Sequence, residues 1–260
     1  MTVETLRFDR EGGLARIRLS RPEAGNAVNG LMARELMEAV GRCDGDPAVR
    51  AVLLTGEGRR FCVGGDLREF VAYGDALPDH LREVTTYLHA AVSRLVRLEV
   101  PVIAGIHGAA AGAGLSLACA CDLVVAGEST RFRTAYLAIG LTPDGSLSFT
   151  LPRLVGVRRA LDLVLSNRPF TAAEALEWGI VSRVVPDGEV EGEALALARG
   201  LAAGPTRALG AAKRLLRLEA SLETQMEMEA RVITDTARGR DGREGIAAFL
   251  EKREPRFTGG

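Results

Sequence analysis

Lysine is nearly absent: of 33 basic residues only Lys213 and Lys252 are lysine, and the rest are arginine. We read that bias first as genome composition and only second as function. Neither sign of charge is in surplus, because 34 acidic residues leave a formal net charge of −1. This balance excludes the basic footprint of a nucleic-acid binder, and no acidic tail is present. Cysteine is scarce as well. Cys43, Cys62, Cys119 and Cys121 are too few and too unevenly spaced for a disulfide scaffold. They read as buried small hydrophobes in a reducing compartment. Three histidines, His80, His89 and His107, stand singly, so no metal-ligand cluster is expected. The opening Met1-Thr2-Val3-Glu4-Thr5 lacks the basic-then-apolar build of a signal peptide, and the expectation is a cytoplasmic protein.

Apolar residues make up 47% of the 260, ample for a packed core. Glycine is abundant at 30 residues, well above an average usage of about 7%. One stretch, Val100 to Cys121, carries no charge and includes Gly108-x-x-x-Gly112, as a pair of membrane helices would. Pro101, His107 and a weakly apolar Gly/Ala composition argue against insertion. The stretch reads instead as a strand, a Gly-rich turn and a short helix of a soluble core, with no membrane partner.

Residues Leu6 to Ser20 read as a hairpin, with Asp9 to Gly13 as the turn and Ala15, Ile17 and Leu19 facing inward. Asn29 is placed to cap a helix carrying Leu31, Met32, Leu36, Met37 and Val40 on one face, ended by Asp44-Gly45-Asp46-Pro47. Val49 to Leu54 follows as a buried strand. Val84, Leu88, Val92 and Leu95 stripe a second helix; Val100 to Ile106 is a strand, Gly112 onward a helix, and Leu123 to Val125 a strand. Strands alternating with helices predict an α/β core with parallel pairing. Beyond Asp144 the chain reads as mainly helical. Thr171 to Glu174 forms a capping box ahead of Trp178 and Gly179. Pro205 to Leu218 shows an apolar face at Leu209, Ala212 and Leu216, and Leu222, Met226, Ala230, Ile233 and Ala237 stripe a further helix. Asp241 to Glu244 is expected to cap a last helix reaching Leu250. This divides the chain into a core over 1–195 and a helical region over 196–260. The stripes of that region must fold back on the core or meet a second subunit.

Two Gly-rich segments stand out: Arg59 to Arg68 after a strand, and His107 to Gly114 before a helix. Neither is a nucleotide fingerprint. Leu117 stands where G-x-G-x-x-G needs its last glycine, and there is no G-x-x-x-x-G-K-[ST]. Both segments can present bare backbone N–H groups, and a helix N-terminus adds unsatisfied donors with partial positive charge. Two N–H groups converging on one point would form an oxyanion hole; close helix–strand packing is the alternative.

Together, Phe61 to Leu67, His107 to Asp122, and Gly140-Leu141-Thr142-Pro143-Asp144-Gly145 resemble the crotonase family, the enoyl-CoA hydratase/isomerase superfamily. Arg21-Pro22 with Asn26 to Asn29, and Phe249 to Arg253, fit its terminal patterns, so the resemblance covers nearly the whole chain. It implies an α/β fold, a spiral of ββα turns with a helical C-terminal trimerisation region, and a homotrimer or dimer of trimers. It further implies an acyl-CoA thioester substrate with no separate cofactor, coenzyme A being part of the substrate, and stabilisation of a thioester enolate. By position the oxyanion donors are the N–H groups of Gly65 and Ala113, each worth about 2.7–4 kcal/mol in the transition state. Coenzyme A contacts carry over to Asp66, Leu67, Arg68 and Arg59, and to Phe249 and Lys252, the last two commonly reaching a neighbouring subunit's ligand.

Hydratases of this family carry two glutamates that activate water; those positions here read Ser116 and Tyr136. A tyrosine, with a reference pKa of about 10, is no carboxylate base at neutral pH. Asp144 resembles the single acid/base of the family's isomerases, including the ring-1,2-epoxyphenylacetyl-CoA type, although an aspartate there could simply cap the next helix. Phe70, Val71, Tyr73 and Leu77 are expected to line the acyl site, with Tyr73 able to meet an aromatic acyl group. The reading is an acyl-CoA isomerase using one carboxylate. The alternatives are a hydratase with atypical water activation, and a CoA-thioester binding protein that has lost catalysis.

Overall fold

The hairpin forms as β1 (Leu6–Glu11) and β2 (Leu14–Leu19) in the computed structural model, which describes residues 4–260. Its turn is tighter than expected. Asp9 to Glu11 stay in the strand, and Gly12, at φ +58°, reverses the chain with Gly13. Asn29 caps α1 (Gly30–Gly45) by accepting a 2.9 Å hydrogen bond from the Met32 amide. Then come β3 (Ala51–Gly56), α2 (Leu67–Tyr73) and α3 (Leu77–Arg97), the last burying Val84, Leu88, Val92 and Leu95 as its stripe predicts. They lead to β4 (Val102–Ile106), β5 (Ala109–Ala111), α4 (Ala113–Ala120), β6 (Leu123–Gly127) and β7 (Arg131–Arg133). The uncharged stretch is therefore two strands and a short helix. Among the described residues no helix is long and apolar enough to cross a membrane. The chain continues through α5 (Leu147–Val155), α6 (Val157–Ser166), β8 (Phe170–Thr171), α7 (Ala172–Glu177) with the expected capping box, and β9 (Arg183–Val185). It ends with α8 (Val190–Ala203), α9 (Thr206–Leu216), α10 (Leu222–Arg238) and α11 (Arg240–Glu251).

Six strands in the order β1-β2-β3-β4-β6-β9 make the main sheet, parallel except for β1–β2, and β5-β7-β8 make a smaller one. Parallel neighbours need crossovers, and α1, then α2 with α3, then α4 supply the first three. One sheet face buries Ile17, Leu54, Val102 and Ile106 among these helices. The other buries Leu53, Ile103 and Val125 under Ala194, Ala198 and Ala202 of α8. Burial on both faces is why β3 reads as an unbroken apolar run. Gly105 marks where α8 crosses closest: a β-carbon there would lie 3.1 Å from the Ala194 methyl.

The boundary expected between residues 195 and 196 falls inside α8, which packs on the sheet. On α9 the expected apolar face is not the one that packs on the core. Leu216 is 87% exposed, and Thr206, Gly210 and Ala211 are buried instead. The helix is rotated because Lys213 docks on Asp122 at 2.7 Å, with Arg217 on the other carboxylate oxygen at 2.8 Å. The last helix also starts earlier than expected. Asp241 lies inside α11 and, rather than capping it, accepts the Thr258 and Gly259 amides at 2.7 Å, tying down the C-terminal tail. Among the described residues no side chain of α10 is buried, and Leu222 and Ile233 face outward.

Candidate active site

Asn26 is buried at φ +56°, and its side chain joins three segments. It accepts the Arg21 amide at 2.8 Å and donates to the Glu57 and Arg60 carbonyls at 2.9 and 2.8 Å. The loop after β3 is thereby aimed at β5, where the Cys62 amide donates to the Ala109 carbonyl and the Ala111 amide to the Cys62 carbonyl. The Val28 amide holds the Gly64 carbonyl at 2.7 Å. Gly64 lies at φ +111° and Gly112 at φ +52°, conformations that favour glycine. Gly114 admits no side chain either: its β-carbon would stand 2.3 Å from the Cys62 carbonyl oxygen. The two glycine turns are thus laid side by side, and Gly65 and Ala113 line one cavity. Among the described residues the amides of Gly65 and Ala113 find no protein acceptor. The close packing and the open donors coexist.

The cavity, about 370 Å³, is lined mainly by apolar side chains, Val28, Leu67, Phe70, Val84 and Leu88 among them, together with Tyr136 and Asp144. Asp144 does not cap α5. The N-cap position of that helix is Ser146, at φ +71°, and it makes no side-chain cap. The Asp144 Oδ1 accepts a 2.6 Å hydrogen bond from the Tyr136 hydroxyl, and its backbone carbonyl accepts Ser116 Oγ at 3.0 Å. Ser116 Oγ and the Tyr136 hydroxyl are 2.9 Å apart. Burial, then the Asp144 charge and hydrogen bond, push the Tyr136 phenol above its ordinary range against a smaller opposing effect of Ser116, so it remains a donor. Gly145 is required beside them, since a β-carbon would lie 2.9 Å from the Ser116 Cβ. Its amide donates to His89 Nε2 at 3.1 Å. Sequence reasoning missed His89 at this site, because a lone histidine beside the core residue Leu88 carries no pattern.

The remaining expected residues divide. Leu67 lines the cavity. Asp66 does not, and its carboxylate is committed elsewhere: it caps α2 at the Arg68 and Glu69 amides and pairs with Arg21 at 2.8 Å. Burial opposes its ionisation, but Arg21 and the two amides outweigh that and hold it below the ordinary aspartate value. Its carboxylate is thus engaged within the protein. Arg59 and Arg68 are exposed, and Phe249 and Lys252 sit on the outer arm, at α11 and its cap; none of the four borders the cavity. Of the segment after the first glycine turn only Phe70 lines it. Tyr73 is stacked on His80, with ring centroids 3.6 Å apart, and Val71 and Leu77 lie outside. All four cysteines are free and buried, which pushes their thiols up to about 12. His107 contacts the Gly58 carbonyl at 2.9 Å, in the loop after β3.

A profile of the family described as enoyl-CoA hydratase/isomerase matches residues 9–260. The chain belongs to that family. Within the enoyl-CoA hydratase/isomerase family it is 42% identical to the "Probable enoyl-CoA hydratase" of Rhodobacter capsulatus, over the full length of both chains. It is 40% identical to the 1,2-epoxyphenylacetyl-CoA isomerase of Escherichia coli, covering 96% of each. To 4-chlorobenzoyl coenzyme A dehalogenase-1 of an Arthrobacter species it is 42% identical, covering 82% of this chain and 77% of that one. An enoyl-CoA hydratase structure from Polaromonas superposes with a TM-score of 0.92 at 34% identity, covering 97% of this chain and 99% of that one. The crotonase fold is thus established, while the relatives differ in the reaction their names describe.

Proposed function

We propose that this family member shifts the double bond of an enoyl-CoA by a 1,3-proton transfer. The observation that carries the reading is Asp144, the one carboxylate among the described residues lining an apolar cavity that also holds the two unclaimed amides of Gly65 and Ala113. With a 3-enoyl thioester bound, its carbonyl oxygen takes both amides, and Asp144 removes the C2 proton. The electron pair of that C–H bond passes into the enolate, whose charge the amides hold. Returning the proton to C4 moves the double bond from C3–C4 to C2–C3. Atoms and charge balance without a further reactant.

Isomerisation is favoured over hydration by the hydroxyls of Ser116 and Tyr136. They stand at the positions of the hydratases' two glutamates, and they are bonded to each other and to Asp144. That arrangement offers no pair of free carboxylates to hold and deprotonate water. Arg59 and Arg68, both exposed, suit the phosphates of coenzyme A, and Phe249 and Lys252 suit a ligand in a neighbouring copy. The outward apolar residues of α10 and α11 suit assembly into a trimer or dimer of trimers.

The test is to mix the protein with a 3-enoyl-CoA and follow the absorbance of the conjugated product. A rise without hydrated product is expected, and Asp144→Asn should lose it about 10²–10⁴-fold while still binding ligand. Water addition to a 2-enoyl-CoA without isomerisation would favour the hydratase alternative. Chloride release from 4-chlorobenzoyl-CoA would align the chain with the Arthrobacter relative. Binding with no turnover of any of these thioesters would leave a binding protein.

A further inference from the structure

We infer that Tyr136, steadied by Ser116, is a positioning residue that fixes which oxygen of Asp144 carries the proton. The inference rests on the reading of Asp144 as acid/base. The phenol has one proton, and at 2.6 Å it is given to Asp144 Oδ1. Ser116 Oγ, buried on α4, lies within hydrogen-bond reach of the Tyr136 hydroxyl at 2.9 Å and of the Gly112 and Asp144 carbonyls at 3.2 and 3.0 Å. Carbonyls cannot donate, and the phenol proton is already used. Between the two hydroxyls the serine is therefore the donor, and its one proton is shared among the Tyr136 oxygen and the Gly112 and Asp144 carbonyls.

The consequence is an asymmetric carboxylate. Oδ1 is held, while Oδ2 has no protein partner among the described residues and is left for substrate. Ser116 reports on both ends of the device. Through Gly112 it touches the turn that presents the Ala113 amide, and through Asp144 it touches the base. Base and oxyanion donor are thus spaced by one buried hydroxyl. A carboxylate returning the same proton across two carbons must not swing between the two transfers, and a free rotation of its Cα–Cβ–Cγ arm would allow the proton to be lost to water.

Tyr136→Phe keeps the ring and removes only the donor. It is expected to lower kcat about 10- to 100-fold with KM within about twofold, the signature of misplaced reacting groups. In deuterium oxide it should also place a larger fraction of solvent deuterium at C4 per turnover than the wild-type protein. Ser116→Ala should move both quantities the same way by less, and Tyr87→Phe on α3, whose exposed hydroxyl meets only Glu83 among the described residues, should move neither. Unchanged kcat in Tyr136→Phe, or a KM that rises in step with unaltered deuterium content, overturns the inference. Exchange of the C2 protons of butyryl-CoA separates the two claims, since it needs the base and the enolate but no double-bond shift. Wild-type exchange without isomerisation defeats the proposed reaction while the exchange rate of Tyr136→Phe still judges the positioning role. A wild-type protein silent in both overturns both.

Discussion

Gly112 rests against Gly64 so closely that a β-carbon on Gly112 would stand 3.2 Å from the Gly64 Cα. Two turns that are 48 residues apart in the chain are therefore in backbone contact, and the amides that follow them, Gly65 and Ala113, share one cavity wall. The relationship depends on the absence of a side chain at both places.

Gly112→Ala should therefore cost stability twice, through a residue forced to φ +52° and through displacement of the facing turn. A loss of about 1–3 kcal/mol is expected in chemical denaturation. Activity should fall at least about tenfold from the misplaced amide. Gly156→Ala is the comparison, at φ +77° with open space around it. It should lose stability by the backbone effect alone and keep its turnover rate.

Asp66 and Arg21 give a pH-dependent prediction. The folded value of Asp66 is depressed, so its ionised pairing stabilises the protein above the unfolded aspartate value of about 3.9 and is lost as pH falls through the lower folded value. Asp66→Asn should cost about 1–3 kcal/mol at neutral pH. The gap to wild type should close below roughly pH 4, followed by denaturation curves at stepped pH. Because α2 carries Leu67 and Phe70 into the cavity, KM should rise in the same variant. A constant gap at all pH values would remove the electrostatic account.

The C-terminal arm gives a third prediction. Leu222, Ile233, Phe249 and Leu250 are all more than two-thirds exposed in the single chain, Phe249 at 83%. The native protein should sediment at three or six times the chain mass, and Ile233→Asp should reduce that mass. Phe249→Ala should keep the assembly and raise KM for the CoA substrate several-fold. A wild-type protein sedimenting as one chain would refute the assembly.

Much of this was legible before any coordinates. The stripe Val84, Leu88, Val92 and Leu95 is periodic, and its burial on α3 followed from the spacing of one helix turn. Asn29 and Thr171 announced two helix starts because capping is local chemistry. β5, β7, β8 and β9 were not legible: two or three residues are too few to show alternation, and their pairing partners lie far along the chain. Which face of α9 meets the core was not legible, because it is held by Lys213 meeting Asp122, an ion pair between residues 91 positions apart. Tyr73 looked like a cavity aromatic until its stacking on His80 placed it elsewhere.

By itself the sequence determined the family pattern, the two glycine-rich segments, and a serine and a tyrosine at 116 and 136, because each is a matter of residue type at a position. Tertiary structure alone decided that Asp144 faces a cavity rather than a helix end, that Asp66 is spent on Arg21, and that His89 reaches the Gly145 amide. Those outcomes depend on which distant groups arrive within about 3 Å, the range over which a hydrogen bond acts. No local pattern encodes that arrival; the packing of α3, α4 and the loop before α5 against one another sets it.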